Sequence, residues 1–269
     1  MYRFLLTPRW LGFLALTIAA AVVMVLLGNW QLHRYHQRAE VNARIDAAGR
    51  TAPAPLDRVL PAPAGTAGTA GAEPPAGTEW DRVTATGRYD AARLVLVRSR
   101  TVDSQVGFEV VTPLRLADGS AVLVDRGWIP PAPGGATAIP QVPVTPSGDV
   151  TVVARVRRSE SGPGAVLPRD GRLETRRISA PRIAAELPYP VRGGYLLLDQ
   201  QTPPADPAFA AVPVEHQNDW QNAGYVVQWW LFAGMALFGY GWAARREARG
   251  GPDTGAERDA DRVPAATGS

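Results

Sequence analysis

The stretch from Asn222 to Ala244 reads NAGYVVQWWLFAGMALFGYGWAA and contains 23 residues without a charged side chain. As an α-helix rising 1.5 Å per residue it would be about 34 Å long, enough to cross a hydrocarbon layer of about 30 Å. Arg245, Arg246 and Arg249 follow it, whereas no Lys or Arg lies in residues 193–244. Because basic residues concentrate on the cytoplasmic side of a span, we predict a transmembrane helix over 222–244 with a cytoplasmic C-terminal end.

A second uncharged stretch lies near the N-terminus. It runs for 18 residues from Trp10 to Leu27, and Trp30 follows close behind. Trp10 and Trp30 stand where aromatic residues mark the membrane interface. A cleaved signal peptide is the alternative, but the apolar run is longer than a usual signal core and no small-x-small pattern closes it. We therefore predict an uncleaved transmembrane helix over residues 10–30.

Two spans place both ends of the chain on one side of the plasma membrane. Residues 1–9 and 245–269 become cytoplasmic tails, the second of them disordered, and the roughly 190-residue loop between the spans becomes extracytoplasmic. Four arginines after the first span disagree with this orientation, but long loops translocate largely regardless of their charge. The lipid bilayer is thus one expected partner.

The loop itself divides by composition. Residues 31–50 mix charges at helical spacing and predict a juxtamembrane helix. Residues 51–78 are rich in Pro, Ala and Gly and predict a disordered linker. Residues 79–213 form the predicted domain, and residues 214–221 return the chain to the membrane.

The period of two residues that is typical of strands recurs through 79–213. Strands are predicted at 82–87, 93–97, 108–116, 121–126, 150–156, 172–178 and 195–199, with a hairpin turn at 117–119. A short helix is predicted at 180–187, with Ser179 as its N-cap. The fold class is therefore an α+β membrane protein, in which two transmembrane helices flank a small antiparallel β-rich extracytoplasmic domain with one or two short helices.

Composition excludes several kinds of chemistry. All 28 basic residues are Arg, there is no Cys, and there are only three His. These counts exclude disulfides, Cys-ligated zinc and a thiol nucleophile, and they leave little for a His-based metal site. No catalytic arrangement of side chains or phosphate-binding loop is present, and the positive charge is too scattered for nucleic acid. We expect neither an enzyme nor a metal or nucleic-acid binding protein.

Small and aromatic residues occupy one face of each predicted span. Gly12, Ala15 and Ala19 share a face of the first helix. In the second, a common face is formed by Asn222, Tyr225, Trp229, Phe232 and Ala236. A small-residue groove against an aromatic ridge predicts close packing of the two helices, and contact of the aromatics with lipid is the alternative.

Four fragments in order carry a resemblance to a known family. They are Gly28-Asn29-Trp30-Gln31-Leu32-His33-Arg34, Gly87-Arg88-Tyr89-Asp90 after Arg82-Val83, Gly107-Phe108-Glu109-Val110-Val111-Thr112-Pro113-Leu114, and Val122-Leu123-Val124-Asp125-Arg126-Gly127-Trp128-Ile129-Pro130. Together, inside a two-span frame, they resemble the Surfeit locus protein 1 family, with Asp125 in place of the usual Asn.

The resemblance implies an assembly factor for cytochrome c oxidase that assists haem a insertion or maturation of the oxidase's catalytic subunit. The family opens its second span with His-x-x-Tyr-Ala followed by a Trp, and implicates that His in binding haem a. Tyr225 and Trp229 fit this pattern, but Asn222 stands at the His position. Possible haem a contacts are therefore His216, Asn222, Tyr225 and Trp229.

The other candidate residues would contact the catalytic subunit. They are Trp30, Gln31, Arg34, Arg126, Trp128 and Phe232. Trp30 could instead be an interfacial anchor, and Arg126 and Trp128 could instead support the fold; His216 could be a solvated loop residue, and His33 with His36 a polar collar. Two further readings stay open, a stable accessory subunit of a respiratory supercomplex and a two-span ligand sensor.

Overall fold

A computed structural model describes residues 3–214, 216–218 and 220–249. The described residues fall into two compact units. Those up to Val41 and those from Gln217 onward form the helical unit, and those from Asn42 to His216 form the β unit. The predicted tail 245–269 lies outside the described residues beyond Arg249.

Two long helices dominate the helical unit. α1 runs from Pro8–Arg50 and α4 from Trp220–Arg249, while a short 3-10 turn occupies Arg3–Leu6. Pro8 suits a first helical position, where no backbone N–H is needed, and α1 ends just before Pro53. Its last residue, Arg50, is also the last residue of the predicted juxtamembrane helix. The predicted second span, 222–244, lies within α4.

The two helices differ in their capacity to cross a membrane. Within the described part of the chain, α1 is the one helix that is long and apolar enough, by length and composition, to do so. α4 is also largely uncharged, but its Gly, aromatic and amide residues lower its hydropathy. The second span therefore stays a prediction.

The β unit is built on one sheet of nine strands. The strands are β1 (Ala54–Pro55), β2 (Arg82–Tyr89), β3 (Val95–Val102), β4 (Gln105–Arg115), β5 (Ala121–Ile129), β6 (Asp149–Arg157), β7 (Leu167–Arg169), β8 (Arg172–Thr175) and β9 (Tyr195–Thr202). Their order is β1-β2-β6-β9-β5-β4-β3-β8-β7. An additional pairing of β2 with β4, through Tyr89 opposite Leu114, closes a ring of β2, β6, β9, β5 and β4.

The predicted strands are present, but the sheet is not purely antiparallel. β1 runs parallel to β2, β8 to β3 and β9 to β5. Residues 56–81 separate β1 from β2, residues 176–194 precede β9, and several strands lie between β3 and β8 along the chain. Such separations let a strand run in the same direction as its neighbour. The expectation of an antiparallel domain was therefore wrong for these three pairs.

Short helices complete the β unit. They are α2 (Leu56–Val59), α3 (Ala180–Ala184) and 3-10 turns at Ala76–Thr78 and Ala91–Arg93. Ser179 occupies the N-cap position of α3 as predicted, but its side chain makes no capping hydrogen bond. The N–H of Ala180 instead donates to Ser159 Oγ at 2.9 Å.

The prediction of a disordered linker over 51–78 was wrong. Leu56 and Leu60 are buried in the same apolar cluster as the strands of the ring. The backbone is also held, since Gly71 N donates to Val191 O and Val191 N donates to Thr69 O. The segment has few apolar residues, but those few fill a core that the strands supply, so it needs no core of its own.

β5 lies at the centre of the sheet and is buried along its whole length. Its alternate side chains enter two apolar clusters, with Val122 and Val124 on one side and Ala121 and Leu123 on the other. A continuous apolar strand suits burial on both faces. The polar residues at the end of this strand therefore lie inside the unit.

Candidate functional site

The two long helices pack along an interhelical seam. On α1 and α4 the covered positions recur at alternating spacings of four and three residues, as in a coiled coil. They are Trp10, Leu14, Thr17, Ala21, Met24, Gly28 and Gln31 on α1, and Asn222, Val226, Trp229, Ala233, Ala236 and Tyr240 on α4.

Aromatic residues of α4 contact α1 along this seam. A Cβ added to Gly28 would collide with the indole of Trp230. At the other end, the Trp10 and Tyr240 rings meet edge to face, with centroids 5.8 Å apart. A side chain at position 28 would therefore force the Trp230 indole to shift.

Asn222 is a polar residue within the seam. It is 8 % exposed, and its Nδ2 has no hydrogen-bond partner among the described residues. Leaving a buried amide donor unpaired costs on the order of 1–3 kcal/mol. Such a donor is suited to an acceptor that another molecule supplies.

The segment Asp125–Trp128 forms the polar end of β5. Gly127 has a φ of +130°, which residues with a side chain rarely adopt, and its N–H donates to Asp125 Oδ1 at 3.1 Å. The Asp125 side chain lies beside a group of charged residues, and the Arg126 side chain lies in a separate cage of aromatic residues.

Trp128 is fixed by hydrogen bonds within the β unit. Its indole Nε1 donates to Arg100 O at 3.0 Å, and its backbone exchanges two hydrogen bonds with Ala210. The residue is 5 % exposed. These contacts favour the fold-supporting reading of Trp128 over direct contact with a partner.

Arg126 is buried in a cage of side chains. Its guanidinium lies 5.1 Å from the centroid of the Tyr89 ring and 4.8 Å from that of Phe209. Nη1 donates to Thr145 Oγ1 at 2.9 Å. The aromatic rings that contact the Arg126 guanidinium are thus those of Tyr89 and Phe209.

A cluster of buried charges lies on the other side of β5. Arg100 Nε is 2.9 Å from Glu109 Oε2, and Arg100 Nη2 lies 2.7 Å from both carboxylate oxygens of Glu160. Glu109 is opposite Trp128 across β4 and β5, where the register shifts between Glu109 and Val111. The bulge brings the Glu109 side chain toward the buried Asp125.

Burial controls the protonation of the two acids. Burial raises the pKa of Glu109 to about 7 and outweighs the opposing attraction of Arg100. Burial and then the charge of Glu109 raise the pKa of Asp125 well above its ordinary value. The cluster can therefore hold a proton near neutral pH.

The described residues do not form a metal-binding site. No group of three or more His, Asp or Glu in the described ranges is placed to hold a metal ion. What the β unit presents is a buried acid pair and a caged arginine on opposite sides of one strand.

Comparison with known proteins decides the family. The model of the SURF1 family matches residues 18–234, which cover most of the chain. The chain belongs to the SURF1 family. SURF1-like proteins of Mycobacterium bovis and Mycobacterium tuberculosis are each 34% identical to it over 260 residues, covering 93% of this chain and 91% of theirs. A SURF1-like protein of Monosiga brevicollis is 34% identical over 157 residues, 54% of each chain.

The resemblance stated from the four fragments is thus confirmed. In this SURF1 protein two of those fragments meet, because Glu109 belongs to the third and Asp125 to the fourth, and a hydrogen-bonded pair of strands joins them. The Asp that replaces the usual Asn is the residue that places a second acid beside Glu109.

The structure separates the residues predicted on the spans. Trp229 lies in the seam, 6.1 Å from the Phe232 ring, whereas Tyr225 and Phe232 are exposed. Gly12, Ala15 and Ala19 are exposed too, and Ala21 and Gly28 take the packing role. The predicted groove and ridge were therefore wrong in these positions, because the seam follows a spacing of four and three residues rather than the predicted faces.

The candidates near the end of the first span have different surroundings. Trp30 is exposed, and Arg34 lies 5.9 Å from the centroid of its ring. Gln31 is half-buried in the seam, and His33 pairs with Gln37 at 3.0 Å. Trp30 and Arg34 thus form an exposed pair on one helix.

His216 is held within the β unit. Its Nε2 lies 2.9 Å from Asp46 Oδ1, and both side chains are about half exposed. That contact engages one ring nitrogen. A role of His216 toward haem a stays a prediction.

Sequence reasoning missed Arg100, Glu109 and Glu160. Glu109 stood inside a quoted fragment, where an acid between Phe108 and Val110 on a predicted strand was the available signal. Arg100 and Glu160 gave no such signal, because 60 residues separate them along the chain.

Proposed function

We propose that this chain is an assembly factor for cytochrome c oxidase that acts at the membrane on the oxidase's catalytic subunit. SURF1 proteins are in general assembly factors of that oxidase. The observation that carries the proposal is the extent of the match, residues 18–234, which takes in most of α1, the β unit and the first half of α4.

The proposal places α1 and α4 in the bilayer, with both termini cytoplasmic and the β unit outside. α1 supplies an apolar helix of sufficient length. Large apolar side chains on α4, among them Leu231, Met235 and Phe238, are exposed on the surface away from the seam. In lipid these side chains would be covered, and the arginines after Ala244 would anchor the cytoplasmic end.

The exposed aromatic residues of the helices are the proposed contacts with the catalytic subunit. Trp30 with Arg34 on α1, and Tyr225 with Phe232 on α4, are not used by the seam. Aromatic and Arg side chains are the types that most often dominate binding energies. Asn222 would add a hydrogen bond to an acceptor of the subunit.

α4 offers no imidazole to haem iron, so His216, which precedes the helix, is the residue to which a ligand role would fall. The Nε2 of His216 lies 2.9 Å from Asp46 Oδ1, and a carboxylate at one ring nitrogen is a common companion of metal ligation through the other. A ligand role of His216 therefore belongs to the proposal. In the proposed role the protein holds the catalytic subunit in a state that accepts haem a, and contact of Tyr225 or Trp229 with the haem belongs to that proposal.

Deletion of the gene tests the proposal. We expect reduced-minus-oxidised spectra of the membranes to lose most of the a-type haem signal, and oxidase activity to fall with it. Expression of the wild-type chain should restore both. Unchanged haem signal and activity in the deletion strain would overturn the proposal.

Two variants in the deletion strain test the part of Asn222. Asn222→Leu removes the unpaired seam amide, and Asn29→Leu makes the same change at an exposed position of α1. We expect the first to restore less than half of the haem signal and the second to restore it fully. Equal restoration would remove Asn222 from the contact.

Purification of the mature oxidase separates an assembly factor from a permanent subunit. An assembly factor should be present well below one copy per oxidase. Retention at one copy per oxidase after detergent extraction would favour the accessory-subunit reading instead.

A further inference from the structure

Arg126 carries a buried charge that pairs with no carboxylate of the described residues. It is 3 % exposed, and its Nε and Nη2 have no hydrogen-bond partner among the described residues. Buried Arg192 and half-buried Arg100 and Arg155 differ, because each lies within 3.0 Å of a carboxylate oxygen. A buried charge without a counter-ion is costly, so this one points to a partner outside the described residues.

The two unpaired nitrogens lie on one edge of the guanidinium. Nε–H and one N–H of Nη2 point in the same direction and form the fork that accepts two oxygens of one planar oxyanion. The remaining nitrogen, Nη1, is occupied by Thr145. The guanidinium is thus oriented with a complete bidentate edge available.

The cage fixes this orientation without supplying an anion. Tyr89 and Phe209 present their rings to the guanidinium, which stabilises its charge only in part. Burial lowers the pKa of Arg126, and the negative charge of Asp206 opposes this shift. Asp206 Oδ1, however, accepts the N–H of Ala208 at 2.9 Å.

The cover over Arg126 consists of two irregular segments. Thr145 belongs to residues 131–148, and Phe209 belongs to residues 203–213. Trp128 and Ala210 hold the second segment by two backbone hydrogen bonds. A ligand that enters between the segments would move the Phe209 ring and leave the strand in place.

We propose that the Nε and Nη2 edge of Arg126 is a binding site for a carboxylate group, which enters between residues 131–148 and 203–213. A carboxylate matches the planar fork, and its charge would pair the buried guanidinium. This site does not depend on the proposed role in oxidase assembly, because its test measures binding rather than haem.

The test is a titration of the full-length protein, labelled with ¹⁵N-arginine in detergent, with sodium acetate against sodium chloride at equal ionic strength. The Nε–H signal of Arg126 is identified by its contacts to the Tyr89 and Phe209 rings. We expect a saturable shift of this signal with acetate. Inorganic phosphate, titrated in parallel, should bind at least tenfold more weakly.

Variants define the site. Arg126→Lys keeps the charge but lacks the fork, and should weaken acetate binding at least tenfold. Arg169→Lys makes the same change at an exposed arginine of β7 and should leave the titration unchanged. Phe209→Ala should tighten acetate binding or increase its association rate, because it keeps the guanidinium fork and opens the cover. This variant also tests the site if the Arg126→Lys protein does not fold.

Three results would overturn the proposal. They are a non-saturable response in both the wild-type and Phe209→Ala proteins, binding of phosphate without acetate, and binding that occurs only in Asp206→Asn. The last would show that Asp206 already fills the fork. A peptide with one Asp in a Gly-Ser chain distinguishes the two sources of the carboxylate. Binding tenfold tighter than that of acetate indicates a protein ligand, and equal binding indicates a free carboxylate.

Discussion

Glu109 makes the stability of the β unit depend on pH in an unusual direction. Its pKa is raised from 4.5 to about 7 by burial, so the folded state keeps a proton that the unfolded chain releases. The associated stability is fully present below about pH 4.5 and is lost as the pH rises through about 7. At 1.36 kcal/mol per pKa unit this amounts to at most about 3 kcal/mol.

We therefore expect the melting temperature of the β unit, followed in the full-length protein in detergent, to fall between pH 5 and pH 8. Glu109→Gln keeps the shape but cannot titrate, and should flatten this dependence. Glu186→Gln, at an exposed position, should leave it intact. Asp125→Asn removes a second acid whose pKa burial raises, so it should also reduce this dependence. A Glu109→Gln protein that melts with the wild-type pH dependence contradicts the assignment.

For single residues, the sequence identified which positions matter better than it identified the contacts of their side chains. Asp125, Arg126 and Trp128 were selected from their pattern, and all three lie at the polar end of β5. Their burial could not be predicted, because it depends on segments 131–148 and 203–213 that have no periodic pattern. The same holds for the partners of Arg100, which a shift in strand register brings together.

Among the elements, the pairing of α1 with α4 depends on the absence of a side chain at Gly28. We expect Gly28→Val to weaken the pairing by about 1–3 kcal/mol, because the added group would meet the Trp230 indole. Gly12→Val is the matched control, since no atom lies within 4 Å of a Cβ added there.

The chain contains no Cys, so a designed pair reports this pairing without background. Ala21→Cys and Ala233→Cys place one thiol on each helix at buried positions that line a common groove. Oxidation in membranes should crosslink the pair efficiently in the parent and in the Gly12→Val protein, and several-fold less in Gly28→Val. Equal crosslinking in all three would exclude Gly28 as the close-contact position.

Arg192 attaches the segment of β1 and α2 to the rest of the β unit. Its guanidinium donates to Leu60 O and Ser120 Oγ and pairs with Asp57 and Asp118. Arg192→Met leaves Leu60 O and Ser120 Oγ of two buried residues without this donor, whereas Asp57 and Asp118 are exposed to water. A buried polar group left unpaired costs about 1–3 kcal/mol.

We expect this loss to release α2, so that trypsin cleaves after Arg58 at least tenfold faster than in the wild type. Arg88→Met removes an exposed ion pair with Asp149 and should not change that rate. Unchanged cleavage in Arg192→Met would show that Leu56 and Leu60 hold the segment without it.

The elements also show where composition misleads. The strands of the β unit follow from their period of two residues, and seven of the nine were predicted. β1 and β7 were not predicted, and β7 has only three residues. β1 and α2 were missed because a Pro- and Ala-rich segment with two leucines gives no periodic signal, although those leucines complete the apolar cluster. The parallel pairs were missed because strand direction depends on connections whose path the sequence does not specify.

For the molecule as a whole, the two terminal helices and the β unit between them follow from hydropathy alone. Hydropathy does not show whether α4 crosses the membrane, because its aromatic, Gly and amide residues occur equally in a membrane interface, in lipid and in contact with a partner. The location of its C-terminal end is therefore the observation that distinguishes one span from two.

Single cysteines in the Cys-free chain measure that location. We expect a membrane-impermeant maleimide to label Ala136→Cys, on an exposed part of the β unit, in intact wall-stripped cells. Thr7→Cys and Glu247→Cys, near the two ends, should react only after the membrane is opened. If α4 does not cross, Glu247→Cys will be labelled in intact cells together with Ala136→Cys, while Thr7→Cys stays protected. Protection of Ala136→Cys with labelling of Thr7→Cys would invert the orientation and would remove the β unit from the side of the membrane that the proposed function requires.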